Sequence, residues 1–446
     1  MRVRPLGYLL TCAAVAALTS VLPAVRAVAQ TSAQASPAST QASPPGATLW
    51  SQQFANQYGA SPTSVAANPR APIVYVTGWT DTGQHEKGYP NIPVDDVTTV
   101  AYNSSTGAQV WVAHYQGNGF MAANYPMAPL IAVSSNGSQV FVGADACEQP
   151  WACTAGGGTY GQAVLGYNAT TGDSTWATFN SHGVPPVAMA VSPNGSYLVL
   201  TGSSRGEGYV TSSFSTVTGA MDWTVSSLLP PRNYHSEPPV GIVVSPGSST
   251  VFVTGTQGTV ALSMDEGQML WKRYAPGAVG TSLAVSQDGS VLVVVGCQPP
   301  VRQERCSSTQ LTAYNAATGA YRWSINDDAT SVIANPGGPQ MFVATGAPGH
   351  TEITAYDIAM GTRTQLWRTP SAGGQLALNR KGTTVFAGLG TGTVAGYDAA
   401  TGAVTASVTY TFAGTERAMA ISTNGSKLFV TGTGSSPGYL TTAYRL

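Results

Sequence analysis

One string recurs along this chain. It reads AYNSSTGAQVW at 101–111, GYNATTGDSTW at 166–176, SFSTVTGAMDW at 213–223 and ALSMDEGQMLW at 261–271. It returns as AYNAATGAYRW at 313–323, as AYDIAMGTRTQLW at 355–367 with two extra residues, and as GYDAATGAVTA at 396–406 without the tryptophan. An eighth copy is divided between AYR at 443–445 and GATLW at 46–50. A second string precedes each copy, as in NPRAPIVYVTG (68–78), SPNGSYLVLTG (192–202) and STNGSKLFVTG (422–432). Two strings kept in register eight times impose a repeat architecture, in which each unit buries its apolar faces against its neighbours.

Each unit reads as four strands. A short strand such as MAV (189–191) leads through an Asn/Gly turn into a β-branched strand. A variable connection, a strand ending near Ala-Tyr, a Thr-Gly turn and the Trp strand complete it. Alanine sits in the middle of the first strand at Ala66, Ala132, Ala190, Ala284, Ala377 and Ala420, as a strand crowding a central axis requires. Residues 47–446 supply 400 residues, hence 50 for each of eight units. The expected fold is all-β: an eight-bladed β-propeller, closed by pairing of the N- and C-terminal strands in the last blade, which leaves no open edge.

The repeated A-x-[DN]-x-x-T-G-x-x-x-W resembles the tryptophan-docking repeat of the PQQ-like, quinoprotein-type propellers, and the second string resembles the YVTN-type repeat. Together they cover 48–446. The resemblance implies that each Trp caps the Thr-Gly hairpin of the neighbouring blade, and it is uninformative about activity. The family's usual Asp is replaced at Asn103, Asn168, Ser215, Ser263 and Asn315, and kept at Asp357 and Asp398. PQQ dehydrogenases of the family place two adjacent cysteines over the cofactor. No Cys-Cys dipeptide occurs in this sequence, so no PQQ is expected.

Residues 1–29 read as a cleaved signal peptide, with Arg2 and Arg4 before an apolar run and AVA (27–29) at the cleavage site. Residues 30–47 form a Ser/Ala/Pro-rich linker. The protein is thus expected to be secreted or extracytoplasmic, without a membrane span in the mature chain, and monomeric. With 19 basic and 20 acidic residues in 446 there is no positive field to hold a nucleic acid.

The strand 1–2 and 3–4 turns fall on one face and are short. The other face carries the variable connections, among them 79–97, 144–162 and 297–309, and binding residues are expected there. In an exported chain Cys147 with Cys153, and Cys297 with Cys306, read as two local disulfides. Trp79, Trp151 and Tyr160 read as loop aromatics suited to stacking on sugar rings or a protein partner. His235 with Glu237 is a candidate acid/base or ligand-binding pair. His85, His114, His182 and His350 are spread too widely for a metal cluster, and Asp81, Glu86, Asp95 and Asp96 lack a calcium-loop spacing, so no metal is expected. The resulting expectation is a non-enzymatic module that binds an extracellular protein or carbohydrate through its long-loop face, with no assigned catalytic residue. The rival is an extracellular enzyme, either a propeller lyase or hydrolase or a PQQ-dependent relative.

Overall fold

The computed structural model describes residues 44–86, 89–116, 128–147, 160–204, 208–227, 239–255, 258–273, 279–298, 308–347, 350–371, 373–389 and 392–446. These form 32 strands and one 3-10 turn, Ala359–Gly361. The strands make eight antiparallel sheets of four. Blade 1 is β2 (Ala60–Ala67), β3 (Ile73–Glu86), β4 (Tyr89–Asn103) and β5 (Gln109–Tyr115), from the inside outward. Blades 2 to 7 repeat this order over 130–180, 188–227, 239–273, 279–326, 329–370 and 375–409. Blade 8 takes β30 (Thr415–Ile421), β31 (Lys427–Thr433) and β32 (Gly438–Arg445) from one end of the ring and β1 (Thr48–Ala55) from the other.

β1 pairs with β32 along its whole length, from Thr48 opposite Tyr444 to Ala55 opposite Gly438. The sheet that starts the chain therefore also finishes it, and β2 lies beside β30 to close the ring. The repeated alanines fall where the sequence places them. Ala66, Ala190 and Ala420 of the innermost strands pair with Tyr75, Val199 and Phe429.

Period-two alternation feeds two cores from each blade. In β3, Tyr75 joins Trp111, Val140 and Ala144 toward blade 2. Val74 and Val76 join Trp50, Phe429 and Tyr439 toward blade 8. The Val-Thr-Gly end of the second string also has a physical cause. Its threonine pairs across the sheet, as in Thr77 with Thr99 (3.0 Å) and Thr431 with Thr441 (3.1 Å) between hydroxyls. Its glycine faces a bulge in the innermost strand: a Cβ on Gly78 would lie 2.1 Å from the Ser61 carbonyl, and one on Gly432 2.0 Å from that of Thr415.

The outer-strand tryptophans dock as the repeat implies. Trp50, Trp111, Trp176, Trp223 and Trp271 donate their indole N–H to Ser104, Ala169, Thr216, Met264 and Ala316 carbonyls of the next blade at 2.7–3.1 Å. Their rings lie against the turn glycine, which has positive φ; a Cβ on Gly107 would be 2.7 Å from the Trp50 ring. Trp323 departs from the pattern. The two-residue insertion in the next blade turns its hairpin into the 3-10 turn, and the buried Trp323 Nε1 finds no acceptor. Arg363 instead lies over the indole at 5.7 Å.

One of the expected variable loops, 79–97, is shorter than the sequence implies. Segment 79–97 is mostly an extension of β3 and β4, with Thr80 opposite Asp96 and Asp81 opposite Asp95. Trp79 is consequently not a loop aromatic. It is a strand residue only 8% exposed, packed with Val97, Ala144 and Ala146.

Candidate functional site

The extended β3–β4 arm stands beside the chain segment that crosses from β1 to β2. Asn56 fixes this junction: its Oδ1 accepts from the amides of Tyr58 (2.9 Å) and Gly59 (3.1 Å), and its Nδ2 donates to the Asp81 carbonyl (3.0 Å). Asp81 Oδ1 accepts from the Gly83 amide at 2.7 Å, which bends the arm under the Tyr58 ring. Between junction, arm and the end of β5 lies a cleft of about 430 Å³. Tyr58 on its border is 57% exposed, and Gln57, Gln84 and Gln116 line it with amides.

The floor is ionisable. β4 alternation sends Asp96 and Thr98 to the same side as Val100 and Tyr102, toward blade 8. Thr98 pairs with His114 of β5, and Thr98 Oγ1 lies 3.0 Å from His114 Nδ1. Asp96 Oδ2 is 3.6 Å from the same nitrogen. Phe54 of β1 packs beside the imidazole, with ring centres 6.4 Å apart. The histidine is thus held on its Nδ1 side while its side chain remains 52% exposed.

Asp96 is only 7% exposed, and its Oδ1 has no hydrogen-bond partner. Burial raises the Asp96 carboxyl above its ordinary range; Gln116 and His114 oppose that shift. Asp95 is pushed up to about 6, first by burial and then by the charges of Asp81 and Asp96. The neighbouring negative charges thus add to burial in favouring the protonated form of Asp95.

A second ionisable group, on blade 6, provides contrast. Arg368 bonds Glu352 through Nε at 2.5 Å and lies 3.4 Å from Asp327 Oδ1, while the Tyr356 hydroxyl donates to Asp327 Oδ2 at 3.2 Å. There one guanidinium serves both carboxylates, and the arrangement ties strands together. Among the described residues no group of three or more His, Cys, Asp or Glu is placed to hold a metal ion.

The other residues singled out by sequence are dispersed. Trp151, His235, Glu237, Cys153 and Cys306 lie outside the described residues. Tyr160 opens β8 (Tyr160–Asn168), its backbone opposite Cys147 at the end of β7 (Gln139–Cys147). Cys297 lies near the end of β19 (Val291–Gln298). Among the described residues, His114 is the histidine that forms a pair with a carboxylate. Sequence reasoning named Asp96 and His114 separately and did not join them, because their pairing depends on how far the β3–β4 arm extends. Asn56 and Tyr58 were missed, since they lie in a junction outside both repeated strings.

The family described as "Outer membrane protein assembly factor BamB" matches residues 39–294 and 257–433. Tetrathionate hydrolase of Acidithiobacillus ferrooxidans is 24% identical over 296 residues, 62% of this chain and 55% of that protein. The chain therefore spans about half the length of this curated relative. Among solved structures, Chaetomium thermophilum Sqt1 bound to the N-terminus of ribosomal protein L10 superposes with a TM-score of 0.58 at 12% identity, covering 88% of this chain and 98% of Sqt1. Kuenenia stuttgartiensis hydrazine synthase gives 0.47 at 16% identity, over 71% of this chain and 94% of that one. Sqt1 shares the fold alone. The repeats, the eight closed sheets and the match along most of the chain establish that this protein belongs to the BamB-type family of PQQ-like β-propellers.

Proposed function

We propose that the protein is an extracytoplasmic carbohydrate-binding propeller whose ligand occupies the cleft between the closing blade and blade 1. The observation that carries this is the exposed Tyr58 ring on the border of a cleft lined by Asp96, His114 and three glutamines. The carboxyl of Asp96 and the imidazole of His114 on its floor offer acceptor and donor groups to ligand hydroxyls. Tyr58 offers a flat apolar surface to a sugar ring, and the amides of Gln57, Gln84 and Gln116 supply both donors and acceptors. The N-terminal segment that reads as an export signal supports a location where glycans are met.

The test is a glycan array followed by calorimetry on the best binder. Tyr58→Ala and Asp96→Asn should each weaken binding by about tenfold or more, the value of one lost charge-assisted bond or stacking face. Absence of any glycan binding, or binding by both variants as tight as the parent's, would overturn the reading.

A second reading is an acid–base hydrolase, and the Asp96–His114 pair favours it. The carboxylate and Thr98 hold Nδ1, so Nε2 is the atom that would take a proton from water, with Asp96 stabilising the imidazolium. The hydrolase among the relatives supports the same class. Time-dependent cleavage of a bound glycan, lost in His114→Ala while binding persists, would select this reading over simple binding.

A further inference from the structure

The opposite face holds a cavity of about 630 Å³ at the seam of blades 7, 8 and 1, formed by the turns joining the two inner strands of each. Arg70, Arg380, Lys381 and Lys427 line it, four of only 19 basic residues in the sequence. No carboxylate lines it, and none pairs with these cations among the described residues.

Part of this charge has a structural use. Arg380 Nη1 donates to the Pro69 carbonyl at 2.7 Å, clipping blade 7 to blade 1. Lys427 Nζ donates to Ser105 Oγ at 3.0 Å, clipping blade 8 to blade 1. Both acceptors are neutral, so the clips leave the charge uncompensated. Arg70 and Lys381 are exposed and make no side-chain hydrogen bond with a described residue, so the seam does not explain them. Four like charges around one cavity repel, and an anion between them removes that repulsion. Ser105, Thr383 and Asn424 add neutral donors to the lining.

We propose that this cavity binds a small dianion or polyanion bearing phosphate or sulfonate-type oxyanion groups. Arg380 and Lys427, already oriented by their clips, would meet one anionic group with their remaining N–H bonds. Arg70 and Lys381 would meet another. The proposal is independent of the carbohydrate cleft, which lies at the other end of blade 1.

Calorimetric titration at constant ionic strength with pyrophosphate, ethane-1,2-disulfonate and, as a monoanion control, acetate tests it. At least one dianion should bind saturably, one per chain, and acetate should not. Binding of pyrophosphate alone assigns phosphate ligands, binding of the disulfonate alone assigns sulfonates, and binding of both supports the general class. The Arg70→Ala/Lys381→Ala variant, which keeps both clips, should lose about tenfold or more in affinity and melt like the parent without ligand. If neither dianion binds, if acetate binds as well, or if the variant binds the dianion unchanged, the proposal is wrong.

Discussion

The amide of Gly46 donates to the carbonyl of Arg445 at 2.8 Å, and the Arg445 amide donates to Ala47 at 3.0 Å, so residues from opposite ends of the repeat array share one turn. Gly46 has the positive φ of the other turn glycines and packs over Val408 and Thr409 of blade 7. The Trp strand of that blade carries Ala406 in place of tryptophan. The missing ring and the missing continuous hairpin coincide: the docking residue is absent where the turn is assembled from two chain segments.

Closure of this kind makes the ring cooperative. Removing 441–446 deletes most of the partner of β1 and exposes two strand edges. The shortened chain is expected to lose a single sharp melting transition and to gain proteolytic sensitivity near residues 48–55. A variant that melts as sharply as the parent contradicts the closing role.

Trp50→Ala removes a docking ring that is 7% exposed and touches Gly107, Tyr102 and Phe429. The expected loss is about 3–5 kcal/mol, the usual cost of truncating a buried tryptophan. Ala406→Trp should give no matching gain, because blade 8 presents a split turn. Urea unfolding of both variants checks the pair of expectations; a large gain from Ala406→Trp would show that a complete docking site exists there.

Most of the fold was legible because its determinants are local and repeated. The Thr-Gly turn, the docking tryptophan, the small innermost residue and the Val-Thr-Gly bulge each recur with a fixed physical cause. The site was legible only in parts. Asp96 and His114 could be named as ionisable, but their meeting depends on β4 and β5 being adjacent and on an arm whose length no repeat encodes. Trp79 shows the opposite failure: a residue just beyond the repeat reads as loop, yet the strands continue through it and bury its ring.

The disulfide proposal concerns the ends of strands 2 and 3 in blades 2 and 5. Cys147 and Cys297 each sit at or next to the end of a strand, with Cys153 and Cys306 in the connection that follows. Peptide mapping without reduction should find Cys147 joined to Cys153 and Cys297 to Cys306. Each closes a short loop, so reduction should remove at most about 2–3 kcal/mol and leave the blades folded. Free thiols at all four positions in protein purified in air would refute the pairing.

Asp95 should make stability depend on pH in the direction opposite to that of a salt-bridged acid. Its folded carboxyl titrates near 6, raised by burial and by Asp81 and Asp96, against about 3.9 in an unfolded chain. Between those values the folded state holds the extra proton, so stability falls as pH rises from about 4 to about 6 and stays reduced above. The full shift corresponds to about 3 kcal/mol, and solvent screening of a partly exposed group brings the expectation to about 1–2 kcal/mol. Asp95→Asn removes the charge without changing the shape. It should match the parent near pH 4 and exceed it by that amount at pH 7, with the difference opening across the same window. Urea unfolding at half-unit pH steps measures both curves. Parallel curves for parent and variant would show that the Asp81–Asp95–Asp96 group does not raise the Asp95 carboxyl in the folded protein.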